Sequence, residues 1–211
     1  MKDKKKAVLF DLDGTLWDST ASVILAWNEV LDRFEDTHPI SQEEMKSVMG
    51  FSMDQICDTL FPYLKKEYRE MLMKRCEDHE NEYVREHGGI LFDNVKDVLS
   101  ALHKKYFVGI VSNCQSGYIE AFLEHYNLGQ FVDAARSFGD FHKEKAQNIK
   151  DVIEENEIEK AIYVGDIYND CLSAQAAGVP FVLARYGFAP FEYETGIDSL
   201  EEIIQIASQM L

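Results

Sequence analysis

Apolar residues in this chain follow two rhythms. Short continuous runs at positions 7–10, 107–111, 161–164 and 181–184 each break off at small or polar residues. Such runs are the pattern of strands buried on both faces of a parallel sheet. A weaker run covers 131–135. Between the runs, apolar positions recur at helical spacing over 95–106, 117–126, 146–156 and 169–177, and a last helical stretch, 200–210, closes the chain. Strand and helix therefore alternate, which predicts an α/β fold: a mostly parallel sheet with helices on both faces.

The interval from Leu16 to Gly89 breaks the alternation, because nothing in it reads as a strand. Ser19 can cap a helix running to about Phe34, and Ser41 with Glu44 has capping-box spacing for a second. A third helix is expected over 52–60. A long, heavily charged one is expected over 65–87, with Tyr68, Leu72, Cys76 and Tyr83 near helical spacing and Gly88-Gly89 at its end. The interval reads as an all-helical domain inserted after the first strand, with hinges near Leu16 and Gly89. The expected division is a core of residues 1–15 and 90–211 and an insert of residues 16–89.

Composition changes this picture little, but charge narrows the partners. A chain of 211 residues with 46% hydrophobic residues is long enough for one large core plus an insertion. Its formal charge of −17 is spread along the chain, so phosphate backbones are repelled and nucleic acid is not an expected partner. The basic start at 1–6 is followed by too short an apolar run for an export signal, and no stretch approaches the roughly 20 apolar residues of a membrane span. A cytoplasmic protein that does not engage membranes is expected. Its cysteines, Cys57, Cys76, Cys114 and Cys171, are widely spaced and expected to be reduced thiols.

The chemistry gathers where each strand ends. In an open parallel sheet, reactive groups collect beyond the carboxyl ends of the strands. Asp11 and Asp13 follow the first run, Ser112 and Asn113 the second, Lys143 and Lys145 the weak one, and Asp166 and Asp170 the fourth. This set suits phosphoryl transfer to a carboxylate. Asp11 and Asp166 can share a hard divalent cation such as Mg2+. Asp11 can attack phosphorus, and Asp13 can protonate the leaving oxygen and later activate water. Ser112 and the backbone amides around Gly14 and Asn113 can hold phosphate oxygens, with a lysine neutralising their charge.

Asp11-Leu12-Asp13-Gly14-Thr15-Leu16 resembles the D-x-D-G-T-L signature of the haloacid dehalogenase superfamily. Ser112 resembles its second motif, a lysine near 145 its third, and Gly165-Asp166-x-x-x-Asp170 its fourth. The similarity spans nearly the whole chain, and the helical insert resembles the cap of the phosphoglycolate phosphatase-like branch. The resemblance implies a Rossmann-like core and Asp11 as nucleophile. It also implies Mg2+ held by Asp11, Asp166 and the backbone carbonyl of Asp13, and a small phosphorylated metabolite, phosphoglycolate among the candidates, as substrate. Two features depart from the family. The third motif reads His142-Lys143-Glu144-Lys145-Ala146 rather than Lys-Pro-x-Pro, so Lys145, at the mouth of a helix, is chosen with Lys143 still open. Position 167 is Ile where a small hydroxyl residue is common.

Other readings compete. Ser112 and Asp170 can serve as helix-start groups, with Asp170 favoured as a support for Asp166; Lys145 can be a surface lysine. Trp17 flanks the site, and the run Arg185-Tyr186-Gly187-Phe188 can either reach it or form a plain loop. A phosphomutase or phosphotransferase would use the same carboxylates. A dehalogenase would not need Asp13, and a phospho-accepting receiver domain would lack the insert.

Overall fold

The computed structural model describes residues 5–188 and 191–211; most of the basic start read at 1–6 lies outside them. Along the chain come β1 (Lys6–Phe10), β2 (Trp17–Asp18), α1 (Thr20–Leu31), α2 (Gln42–Val48), α3 (Met53–Leu60), α4 (Lys66–His87), β3 (Ile90–Leu91) and α5 (Val95–His103). They are followed by β4 (Phe107–Ser112), α6 (Tyr118–His125), β5 (Ala134–Ser137), α7 (Phe138–Phe141), α8 (Lys145–Glu155), β6 (Lys160–Gly165), α9 (Tyr168–Ala177), β7 (Phe181–Ala184), β8 (Gly196–Ile197) and α10 (Ile203–Met210).

Six strands form one sheet in the order β5-β4-β1-β6-β7-β8, every pair parallel. The period of two along β1 divides its side chains between two cores. Val8 and Phe10 join Leu99, Phe122 and Ile203 under α5, α6 and α10, whereas Ala7 and Leu9 join Ile149, Val152 and Ala174 under α8 and α9. The sheet is thus covered on both faces, as a Rossmann-like core requires. From β1 the chain moves outward through β4 to β5 and returns to β6 on the other side. That reversal opens a crevice at the carboxyl end of β1, between its two neighbours.

Residues 20–87 build a separate apolar cluster around Trp27, Leu31, Met45, Phe61, Leu72 and Cys76. Each such fully buried side chain contributes about 1.5–3 kcal/mol. The capping box at Ser41 and Glu44 is formed, and Gly88 ends α4 with a φ of 67°. No described helix is long and apolar enough to cross a membrane. The four cysteines are free and buried.

Three expectations are corrected. The interval between Leu16 and Gly89 does contain strand: Trp17–Asp18 pairs antiparallel with Ile90–Leu91. Two residues are too few to carry a periodicity, and the ribbon forms because the two ends of the helical segment lie side by side. The weak strand lies at Ala134–Ser137 instead of 131–135. Phe131 and Val132 are apolar because they pack on the core from a 3-10 turn and the loop after it. Finally, Ser19 makes no cap hydrogen bond to α1, whose last residue is Leu31 rather than Phe34.

Candidate active site

Asp11 is the first residue past β1, and its amide donates to the carbonyl of Val164 on β6. The chain then turns sharply. The amides of Thr15 and Leu16 donate to the Leu12 carbonyl, and that of Gly14 to Trp17. Gly14 sits at a φ of 82°, and a Cβ there would lie 2.2 Å from Asp166 Oδ2. Glycine is needed at this position for both its conformation and its close approach.

The turn brings Asp11 against Asp166, which follows β6, and Asp170, in the first turn of α9. One carboxylate oxygen from each lies within 4.8 Å of the others, and all three residues are buried. Lys145, the first residue of α8, is buried between them and donates to Asp11 Oδ1 at 2.8 Å and to Asp170 Oδ1 at 2.6 Å. Lys143 points elsewhere: it donates to Asp151 and is half exposed. Asp170 Oδ2 accepts from the amides of Asp166 and Ile167, so this side chain also holds the β6–α9 turn in shape.

Too little positive charge faces these carboxylates. Burial, followed by repulsion from Asp170, pushes Asp11 up to about 7 in spite of Lys145. Burial and repulsion from Asp170 and Asp11 push Asp166 up to about 8. Burial alone would lower the Lys145 ammonium, but Asp11 and Asp170 overcome it and hold it well above its ordinary value. Three buried carboxylates around one ammonium form a hard-oxygen donor set short of positive charge, which suits a small divalent cation.

Asp13 has a different environment. Its Oδ1 accepts from the Ser19 hydroxyl at 2.6 Å and from the Tyr118 hydroxyl at 3.0 Å. Burial raises its carboxyl, and these two bonds only partly restore the charged form. Both donors reach the same oxygen. Ser112 ends β4, is buried, and lines a cavity together with Asp11, Asp13 and Asn113. The Asn113 amide donates to the Gly50 carbonyl at 3.0 Å, tying the loop after α2 to the strand end. Ile167 packs against the same loop, where a Cβ on Gly50 would meet Ile167 Cδ1 at 2.3 Å.

Several contributors escaped the sequence reading. Ser19 was read only as a cap, and Tyr118 only as part of a helix. The run at 185–188 does reach the site: the Phe188 amide donates to Asp166 Oδ2 at 2.7 Å, and a Cβ on Gly187 would lie 2.2 Å from Asp166 Cβ. Glu80 is buried in the cavity wall. It falls on the four-residue stripe Leu72, Cys76, Glu80, Val84 of α4, and that position was the available signal. Trp17 is buried and packs edge-on against Phe122.

Fold and site together define an open α/β enzyme whose reactive carboxylates meet at the switch point of a parallel sheet. Comparison with known proteins narrows this further. The sequence pattern of the haloacid dehalogenase-like hydrolases matches residues 8–184. A phosphoglycolate phosphatase of Salmonella typhimurium is 25% identical, covering 87% of this chain and 82% of its own. A pyrophosphatase, PpaX of Bacillus cereus, is 27% identical, with 96% of each chain covered. The crystal structure of a predicted phosphoglycolate phosphatase from Haemophilus somnus superimposes with a TM-score of 0.84 at 20% identity, over 98% of this chain and 99% of its own. The chain belongs to the haloacid dehalogenase-like hydrolase family, and is an enzyme of its phosphatase kind.

Proposed function

We propose that this protein is a magnesium-dependent phosphatase that hydrolyses a small soluble phosphate monoester through an aspartyl phosphate on Asp11. The observation that carries this reading is the meeting of Asp11, Asp166 and Asp170 around Lys145, with the carboxylic acid of Asp13 set apart in its own environment. Asp11, Asp166 and the backbone carbonyl of Asp13 would hold Mg2+. When bound, the ion screens the repulsion between a carboxylate nucleophile and an anionic phosphate.

The chain's own groups do the rest. Asp11 is fixed by Lys145 through one oxygen, Oδ1, and attacks phosphorus with the other; the P–O bond to the leaving alcohol breaks as the new one forms. Asp13, whose carboxyl burial raises above its ordinary value, gives its proton to the departing oxygen and then takes one from the water that attacks the aspartyl phosphate. Ser112, the amides near Gly14 and Asn113, and Lys145 bind the equatorial phosphate oxygens, on which charge concentrates in transfer. The helical segment at 16–89 acts as a cap, joined to the core by the β2–β3 ribbon. A small substrate and a soluble, cytoplasmic setting fit this reading, and the relatives' names make phosphoglycolate and pyrophosphate the first substrates to assay.

The test is release of inorganic phosphate from a panel of small esters, with magnesium or with excess chelator, by the wild type and Asp11→Asn. Release should require the metal and vanish in the variant. Undiminished release in chelator, or by Asp11→Asn, would refute the assignment.

A further inference from the structure

The cavity over Asp11 and Asp13 is walled on its far side by residues of the helical segment: Val23 and Trp27 of α1, Met45 and Met49 at α2, Met53 and Ile56 of α3, and Glu80 of α4. With the helices packed down as they are, it measures about 40 Å3. By the measure in which one water needs about 10–15 Å3, that is room for a few waters. The leaving group lying beyond the phosphate must be small.

The wall's charge is more telling than its size. Among the described residues lining the cavity there is no Lys, Arg or His; the ionisable ones are Asp11, Asp13, Glu80, Cys114 and Tyr118. The basic side chains of the helical segment are committed elsewhere or face solvent. Arg69 pairs with Asp58, Lys74 with Asp78 and Arg85 with Glu124, Arg75 lies over the Phe34 ring, and Lys46 is exposed. A substrate carrying a second anion would have to place it among methionines and a carboxyl group, with no cation to receive it. Burying an unpaired charge in that way is strongly unfavourable.

Glu80 is the only ionisable side chain the α1–α4 segment presents there. It is 4% exposed, and Trp27 Nε1 donates to its Oε2 at 2.5 Å, which fixes the carboxyl in place. Burial pushes it up to about 8, with hydrogen bonds from Trp27 and Gln115 pulling the other way. With Trp27 on Oε2, the carboxyl keeps lone pairs able to accept a hydrogen bond from a ligand donor, and an ammonium placed there would draw it to the ionised form.

Resting on the phosphatase reading above, we propose that Glu80 and its apolar surround make the pocket selective for phosphate monoesters with a short, mainly apolar leaving alcohol bearing a hydrogen-bond donor, ammonium or hydroxyl, and against substrates with a second anionic group. The two substrates that the relatives' names suggest both carry such an anion: a carboxylate in phosphoglycolate, a second phosphate in pyrophosphate. This chain's specificity therefore departs from those names.

The experiment uses esters matched in size. Aminoethyl, hydroxyethyl, ethyl and carboxymethyl phosphate (the last being phosphoglycolate) differ only in the terminal group, and pyrophosphate and para-nitrophenyl phosphate complete the set. The kcat/KM of one donor-bearing ester should exceed that of carboxymethyl phosphate and pyrophosphate by at least about tenfold, with ethyl phosphate between. The better of the aminoethyl and hydroxyethyl esters identifies the donor. Glu80→Gln should reduce the aminoethyl-to-carboxymethyl ratio by at least about tenfold. Met49→Arg, at a half-buried position on the rim, should shift preference toward carboxymethyl phosphate, and it tests the idea even where Glu80→Gln fails to fold. Carboxymethyl phosphate or pyrophosphate as the best substrate would overturn this inference and leave the phosphatase reading standing. No release from any ester would overturn both.

Discussion

The titration of Asp11 and Asp166 gives the sharpest quantitative expectation. Asp11 and Asp166 sit at about 7 and about 8 against an ordinary value near 4, and both must be ionised to hold a divalent cation. At about pH 6, roughly a tenth of Asp11 and a hundredth of Asp166 are ionised; at about pH 8 the fractions are roughly nine tenths and a half. If the two acted independently, magnesium affinity would rise up to about 500-fold over that interval, or about 4 kcal/mol. The sign for stability follows from the same shifts. A carboxyl whose proton is held more tightly in the folded state contributes stability that is full below the ordinary carboxylate range and is lost as pH rises through 7 and 8. The metal-free protein should therefore melt at progressively lower temperature from about pH 5 to about pH 8, and magnesium should recover most at the upper end. Calorimetric titration with Mg2+ in buffers of different ionisation heat measures the affinity and the protons released per ion, and scanning calorimetry measures the melting temperature. Proton release should approach two per ion near pH 6 and fall toward pH 8. An affinity that stays constant from pH 6 to pH 8 with no proton release would refute the argument, because the metal would then not displace protons from these carboxyls.

Two further expectations concern single positions. Lys145→Ala should lower kcat by at least about a hundredfold, because it removes charge stabilisation of the transferring phosphate. Lys143→Ala, which loses only a partly exposed pair with Asp151, should keep kcat within about threefold of wild type; steady-state kinetics that reverse this ranking would exclude Lys145. Gly50→Ala should lower kcat/KM by at least about tenfold, since the new Cβ meets Ile167 and the backbone has a φ of 82°. Ile167→Ala on that background should recover part of the loss, and a strictly additive double-mutant cycle would show that the loop does not rest on Ile167.

The sheet was legible because buried parallel strands announce themselves as continuous apolar runs. Even so, Phe131 and Val132 imitated a strand because packing from a loop selects the same residue types. Trp17–Asp18 was invisible for the opposite reason: its pairing with Ile90–Leu91 is made by two distant ends of the helical segment meeting, and no local pattern records that. In the site, Asp11, Asp13, Ser112, Lys145, Asp166 and Asp170 could be picked out because each lies next to a strand end that hydropathy marks. Ser19 and Tyr118 could not. Their hydroxyls converge on Asp13 from elements 99 residues apart in sequence, a separation set by tertiary packing. Glu80 was hidden by its setting, one acidic residue in a helix crowded with them, distinguishable only by its place on the buried stripe.

The charge distribution explains why such a site must be local. A chain carrying −17 repels a phosphate dianion at long range, and the site's own buried carboxylates, set against Lys145 alone, add to the repulsion. Two devices reduce it where it matters. Protons on Asp11 and Asp166 neutralise the pocket while no cation is bound, and a divalent ion held there would displace them and turn its charge to the substrate. Asp13 is set apart from that pair: its Oδ1 accepts from Ser19 and Tyr118, bonds that favour its charged form against the upward pull of burial. Burial raises both groups; Lys145 opposes it at Asp11, and the hydroxyls of Ser19 and Tyr118 oppose it at Asp13. The two carboxyls of one short turn thus sit in different surroundings, one against an ammonium and the other against two hydroxyls.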